Sequence, residues 1–525
     1  MALPATIEAP VALAVLLAAL YYAWRENSKS RDLPPGPSPL PFLGNIHQLP
    51  LQYQHKRFAD WAKKHGEVFY IRLFQKPVFV IGSARAAQEL LEKKASKYAD
   101  RPQFIWLDKM RVIIRRPIIP FMRYDDDFRR HRKWFQGFLE TKSALNAYRD
   151  IQRRETGTFL ALLVHTPDAF ISHIKRYTGA VMLEIAYGRS VTSVEDEYIR
   201  FTDRTITKFV EAGSLVATLV DFFPILQYIP SWMPGGGFKK QALEVRHMVQ
   251  RMMNDPFIRV KEEMASGTAK PSFTTFMIEE MSQGGVAAMT PEIEADIKGA
   301  ASVMYASEFE HTHTALLTFV LMMVLHPEVC RKAQAEIDRV LGNERFPDLE
   351  DRESLPYLEC ILKELYRYLC HPLIGIPHQL TEDDRYHDLE IPKGSMIISN
   401  IWSMAHSADA YAEPEVFLPE RFEEMDVETA HIKDPRKYVY GFGRRICPGR
   451  YLADSSLWLA VANMLAAFDF LKARDATGKE IIPEPFFFHG AVSHVKDFPC
   501  NIRPRSRMVA DMILQRGAGA TAVVL

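Results

Sequence analysis

From Thr290 to Leu325 the sequence has every mark of one long buried helix. Thr290 is a good N-cap, Pro291 suits the first helical position, and Glu292 and Glu294 favour the positive end of the helix dipole. His326-Pro327 stops the run. Roughly 35 residues at 1.5 Å each make about 50 Å, enough to cross a whole domain. The run is apolar on most faces, so it belongs at the centre of a large helical body. Its middle contradicts that setting: Ser307-Glu308-Phe309-Glu310-His311-Thr312-His313 puts four ionisable residues in the core. Burying them is costly unless they serve a purpose. Glu308/His311 and Glu310/His313 share the E-x-x-H spacing of di-iron carboxylate bundles. Such a site needs a matching pair, for which Glu244/His247 stands as a nominee, and two more glutamates that the sequence does not supply.

The rest of the chain predicts a mainly α fold with a minor β region. Strand signals fall at Val68-Arg72 and Val78-Ile81, and again at Ile374-Ile376, Met396-Ile398 and near the C-terminus. Residues 1–32 read as an N-terminal membrane anchor with a basic flank, 33–506 as one catalytic domain, and 507–525 as a poorly ordered tail.

A second feature explains the polar centre. Tyr440-Gly-Phe-Gly-Arg-Arg-Ile-Cys447-Pro-Gly449-Arg450 surrounds a cysteine with three glycines, three arginines and a proline. Gly441 and Gly443 open conformations closed to other residues, which suits a loop that must approach a flat cofactor. Arg444 and Arg445 suggest a cationic setting that lowers a cysteine pKa. A thiolate so held is the axial ligand of oxygen-activating haem proteins. The stretch resembles the haem-binding signature of the cytochrome P450 superfamily, an aromatic residue followed by G-x-G-x-R-x-C-x-G. Tyr440 stands where Phe is usual, and Gly443, Arg445, Cys447 and Gly449 match.

The resemblance spans Pro34 to Arg505 and implies roles for further residues. Glu364 and Arg367, with Arg421, would form a buried ion network that positions the cysteine loop. The E-x-x-R spacing alone says little, because Glu197/Arg200, Glu336/Arg339 and Glu382/Arg385 share it. Arg132, His378 and Arg445 would hold the propionates of haem b, with Cys447 on the iron. Phe128 stands where the family's W-x-x-x-R motif has tryptophan. In the central helix the family pattern is small-Gly-x-acid-Thr. Ser307 takes the small position, Glu308 replaces Gly, Glu310 is the acid and His311 replaces Thr, with Thr312 adjacent as the other hydroxyl. Glu310, His311 and Thr312 are therefore the catalytic expectation. Basic residues Arg129, Arg130, Lys133, Lys433, Arg436, Lys437 and Arg444 would dock an NADPH-cytochrome reductase.

Leu3 to Trp24 carries a single charge, Glu8, and Tyr21, Tyr22 and Trp24 form an aromatic edge before Arg25, Lys29 and Arg31. That order predicts an uncleaved single-pass anchor with the body in the cytosol; a cleaved signal peptide would carry its charges before the apolar core. Leu33-Pro34-Pro35-Gly36-Pro37 is a stiff hinge behind it. Lys+Arg and Asp+Glu balance at 65 each, so no global field argues for nucleic acid. Five scattered cysteines without paired spacing argue for a reducing compartment. The expectation is a haem-thiolate monooxygenase on the endoplasmic reticulum membrane, in contact with lipid, most like membrane-anchored fungal members and acting on an apolar small molecule. The alternative is a reductase-independent isomerase or dehydratase of an oxygenated substrate.

Overall fold

The computed structural model describes residues 33–103, 118–193, 195–212, 219–233, 236–283, 289–342, 344–369, 372–484, 487–488 and 494–521. The central helix is present as expected and will be called α4, Pro291–Leu325. Thr290 caps it, its hydroxyl accepting from the Ile293 N–H at 3.3 Å. Before it in the chain come α1 (Asp126–Leu139), α2 (Lys142–His165) and α3 (Phe170–Tyr187). After it come α5 (Pro356–Leu369), α6 (Arg450–Ala467) and α7 (Arg507–Thr521). Helix α4 packs most extensively along α3 and also touches α5 and α6. Phe309, Leu316, Phe319 and Val320 are at most 1% exposed, and apolar area removed from water on this scale is the main stabilising term.

The β region is small. Strands β1 (Val68–Leu73) and β2 (Lys76–Ile81) form a hairpin in antiparallel register, Val68 opposite Ile81. Strand β4 (Met396–Ser399) adds to β2 in parallel, and β3 (His378–Gln379) adds antiparallel to β4. Ile374–Ile376 do not form a strand; pairing starts at His378, because Arg101 captures the Ile376 and Pro377 carbonyls instead. A second ladder pairs β5 (Phe468–Lys472) with β6 (Cys500–Pro504).

The poorly ordered tail expected at 507–525 is corrected for residues 507–521; 522–525 lie outside the described residues. Helix α7 docks against α2. Ser506 caps it by accepting from the Val509 N–H at 3.1 Å. Val509, Met512 and Ile513 fall at i, i+3 and i+4 and pack on the core, with Ile513 only 1% exposed. Among the described residues no single helix is long and apolar enough to cross a membrane. Residues 1–32, which carry the anchor expectation, lie outside them.

Candidate active site

From Gly299 to Val324 helix α4 is buried except along one stripe. Val303, Ala306 and Glu308 are half-buried there, and Ser307 and His311 are exposed. Exposure in the middle of a core helix marks a cavity wall. The cysteine loop forms the opposite wall. Gly449 shows how close the two come: a Cβ on it would lie 3.9 Å from Cys447 Sγ and 4.0 Å from Glu308 Oε2. Cys447 is half-buried, whereas Cys330, Cys360 and Cys500 are buried.

The loop holds its shape through backbone bonds. The Cys447 N–H donates to the Tyr440 carbonyl at 2.8 Å. Gly443 has φ +52°, and a Cβ there would sit 2.4 Å from the Leu91 carbonyl, so the position needs glycine. Gly441 has φ +77°. The Tyr440 hydroxyl donates to Tyr366 at 2.8 Å, and Tyr366 donates to Asp454 at 3.2 Å. The residue at the usual Phe position thus ties the loop to α5 and α6.

The cationic setting of Cys447 is not the one expected. Arg444 is exposed and donates to the Tyr124 hydroxyl at 2.7 Å. The charges that act on the thiol are Arg132 and Arg450, aided by the Gly449 N–H. Both arginines brace the loop from beneath. Arg132 donates to the Ile446 carbonyl at 2.5 Å and to Glu140 at 2.9 Å. Arg450 donates to the Cys447 carbonyl at 2.9 Å and to the same Glu140 oxygen at 2.7 Å. Burial nevertheless dominates and pushes the thiol up to about 11, with Glu308 adding to the rise. A coordinated metal cation is what overturns such a penalty, since a ligating thiol is deprotonated outright.

Arg445 and His378 come together as expected, with a third partner that sequence reasoning missed, Arg101. Arg101 is buried and donates to the carbonyls of Ile376 (2.6 Å), Pro377 (2.8 Å) and Pro120 (3.0 Å). Arg445 donates to those of Ala99 (2.6 Å) and Met122 (2.7 Å), and its guanidinium lies 3.8 Å from the Phe128 ring centre. His378 Nδ1–H donates to the Tyr98 carbonyl at 2.7 Å. Burial and the two guanidiniums hold its pKa well below the usual imidazole value. Burial also pulls Arg445 down to about 10, and Arg101 is lowered by burial and then by Arg445. Buried guanidiniums satisfied by carbonyls, with a titratable imidazole between them, form a cradle for an anion. Arg132 does not join this group; its bonds run to the cysteine loop and Glu140.

On α4 the expected acid and hydroxyl are redistributed. Glu310 is buried, 5% exposed. The carboxyl that faces the cysteine loop belongs to Glu308, and the Thr312 hydroxyl donates to it at 2.7 Å. Burial pushes the Glu308 carboxyl up to about 7, against the pull of Thr312. The His311 ring donates from Nδ1 to the Ser307 carbonyl at 2.6 Å. The di-iron reading gains nothing: among the described residues no group of three or more His, Cys, Asp or Glu side chains is arranged to hold a metal.

The ion network beneath the site is complete. Arg367 forks onto Glu364 at 2.7 and 2.8 Å, and Arg421 reaches the same carboxylate at 3.0 Å. The side chains are 0%, 0% and 4% exposed. Arg367 also lies 5.5 Å from the Tyr411 ring centre, and Tyr411 shares a 2.9 Å hydroxyl contact with Tyr438 just before the loop.

The family model for cytochrome P450 matches residues 34–495. The chain belongs to the cytochrome P450 family. It is 51% identical over 512 residues to cytochrome P450 monooxygenase 176 of Postia placenta, covering 98% of each chain. Cytochrome P450 monooxygenase 136 of the same fungus is 49% identical over 519 residues, with 98% of this chain and 97% of that one covered. Cytochrome P450 monooxygenase claR of Ampulloclitocybe clavipes is 38% identical over 498 residues, with 94% and 89% covered. The protein is a P450 monooxygenase, a class that carries a haem-thiolate cofactor. Its residues fit that group: a cysteine faces the cavity, Gly449 leaves the space a side chain would fill, and a buried cationic cradle suits two carboxylates.

Proposed function

We propose that this P450 binds haem b through Cys447 and oxidises an apolar small molecule with electrons from an NADPH-cytochrome reductase. The convergence of Cys447, Gly449 and the α4 stripe on one cavity carries the reading. Arg101, Arg445 and His378 would hold the propionates; a bound carboxylate would raise the His378 pKa and turn it into a second donor. Arg132 and Arg450 would hold the cysteine loop against the pull of the metal through its Ile446 and Cys447 carbonyls. Bound haem would supply the iron at which dioxygen is reduced, with thiolate electron density favouring O–O cleavage.

Glu308 and Thr312 take the roles expected of Glu310 and His311. A carboxyl with a pKa near 7 exchanges its proton readily at neutral pH, and Thr312 fixes one of its oxygens. Exposed Lys133 and Arg444 and half-buried Lys433 and Lys437 are the basic residues available to the reductase. Arg129, Arg130 and Arg436 are committed to Asp126, Asp296 and Asp434. The anchor reading of residues 1–32 supports single-pass attachment to the endoplasmic reticulum with the body cytosolic. Cys447→Ala tests the centre of the proposal. The reduced carbon-monoxide complex of the wild type should show the thiolate-type spectrum and that of the variant should not; its survival in the variant would refute the ligand assignment.

A further inference from the structure

The Tyr440 hydroxyl has no counterpart in the phenylalanine usual at this position, and the chain of bonds that starts at it has a fixed direction. It ends at Asp454 on α6, which lies 2.6 Å from Arg352 and 3.4 Å from Arg436. Burial works against the charged form of Asp454, but the two guanidiniums outweigh it and hold the pKa below the usual carboxylate value. An ionised carboxylate only accepts, so Tyr366 donates to it, at 3.2 Å. The Tyr366 oxygen is then the acceptor for the Tyr440 O–H at 2.8 Å. Burial is the largest influence on both phenols and pushes them well above the usual tyrosine value, so both stay protonated.

We propose that Tyr440, Tyr366 and Asp454 form a staple that closes the cysteine loop at its base and holds Cys447 in place as the thiolate ligand. The proposal rests on the haem-thiolate reading above. Tyr440 stands seven residues before Cys447 and Asp454 seven residues after it. The two bonds therefore tie the chain entering the loop to the helix leaving it. Tyr366 is the fixed point between them, since it lies on α5 between Glu364 and Arg367, whose buried ion pair anchors that helix. The Tyr440 carbonyl accepts from the Cys447 N–H at 2.8 Å, so movement of Tyr440 shifts or frees the amide of the ligand itself. Little else in the loop fixes Tyr440. Gly441 and Gly443 have no side chain to hold, Phe442 is held by apolar packing, Arg444 is exposed, and Arg445 bonds outward to the Ala99 and Met122 carbonyls. Arg132 and Arg450 hold the far end, at the Ile446 and Cys447 carbonyls. Apolar packing is non-directional, so a phenylalanine ring would fill the space without making the tie. The three are positioning residues, acting on the iron ligand through the backbone.

The test uses the full-length, haem-loaded protein. It measures how fast the reduced carbon-monoxide complex passes from the thiolate-type to the neutral-thiol spectrum in mild denaturant. Tyr440→Phe removes one bond and should speed conversion on the order of fivefold. Tyr366→Phe removes both bonds and leaves the Tyr440 hydroxyl without its acceptor, so conversion should be on the order of thirtyfold faster. In the double variant no hydroxyl is stranded, and its rate should fall back between those of the two single variants. Packing alone requires the opposite, a double variant at least as fast as Tyr366→Phe. The iron–sulfur stretching band of the ferric protein should broaden in the same order, because a loop held by fewer bonds samples more arrangements; a general loss of stability leaves that band alone. A Tyr440→Phe protein with the wild-type rate and band, or a double variant faster than Tyr366→Phe, overturns the proposal. The wild-type spectrum separates the two readings. If it is thiolate-type and the order of rates fails, only the staple is wrong; if it is not, the haem-thiolate assignment itself is wrong.

Discussion

Removing Glu364 should damage this enzyme more than removing Arg367, although the two form one ion pair. Arg367 makes five bonds: two to Glu364, and one each to the carbonyls of Ala405 (3.0 Å), Pro414 (2.7 Å) and Val416 (3.0 Å). In Arg367→Ala the carboxylate keeps Arg421 at 3.0 Å and the Leu418 N–H at 2.8 Å. The loss is one broken buried pair, on the order of 3–5 kcal/mol. In Glu364→Ala two buried guanidiniums lose the acid they share, which doubles the figure to roughly 6–10 kcal/mol. That approaches the whole stability of a typical protein, about 5–15 kcal/mol. Unfolding entropy near 2 cal/mol/K per residue gives a body of this size roughly 1 kcal/mol per degree of midpoint. Arg367→Ala should therefore melt about 3–5 °C lower, followed by loss of haem absorbance, and Glu364→Ala should yield little or no haem-loaded protein. Arg367→Lys should fall between wild type and Arg367→Ala, because a point charge replaces a planar fork. Equal losses for Glu364→Ala and Arg367→Ala, or an unshifted midpoint with a changed product pattern, would refute a structural role.

Two further outcomes follow from residues that the sequence did not advertise. Ile513→Ala should cost about 2–5 kcal/mol, as for other fully buried aliphatic side chains, and a thermal midpoint within a degree of wild type would show that α7 adds little to the body. Arg101→Gln should leave the thiolate-type spectrum intact but release haem to an acceptor protein at least about tenfold faster, since charge-assisted bonds are roughly twice as strong as neutral ones; an unchanged release rate would remove Arg101 from the cofactor cradle.

The large features of the fold were legible because single strong rules governed them. The length of α4, its Thr290 cap and its Pro327 stop agree with the structure, as do β1, β2 and β4. The strand expected at Ile374–Ile376 failed because a distant side chain, Arg101, took its carbonyls, and no local pattern reports that. Helix α7 failed for the opposite reason. Its apolar stripe of Val509, Met512 and Ile513 is short and followed by Gly517 and Gly519, which obscured a periodicity that was present.

The site divides along the same line. Cys447, Gly443 and Gly449 lie in one local motif, and the Glu364–Arg367–Arg421 network, whose arginines reach Glu364 from 3 and 57 residues away, was expected only through the family resemblance. The groups that shape the cavity depend on which way α4 is rotated. A motif aligned by residue type made Glu310 the acid, whereas the helix turns Glu308 toward the cysteine loop and leaves Glu310 in the packing. Glu308 and Glu310 are two residues apart, about 200° of rotation along a helix. Rotation of a helix that is apolar on most faces is weakly marked by hydrophobic pattern, so it had to be read from burial. Arg101 lies outside any motif and gains its role only because three separate segments converge on it: those of Pro120, of Ile376-Pro377 and of Arg445. The signals that were available were small: an Arg-Pro pair after Asp100, and an excess of polar residues in a helix that should have had none. The second proved the better guide, because burying Glu308 and Thr312 as a bonded pair beside the cysteine gives that polar cluster a physical reason to exist.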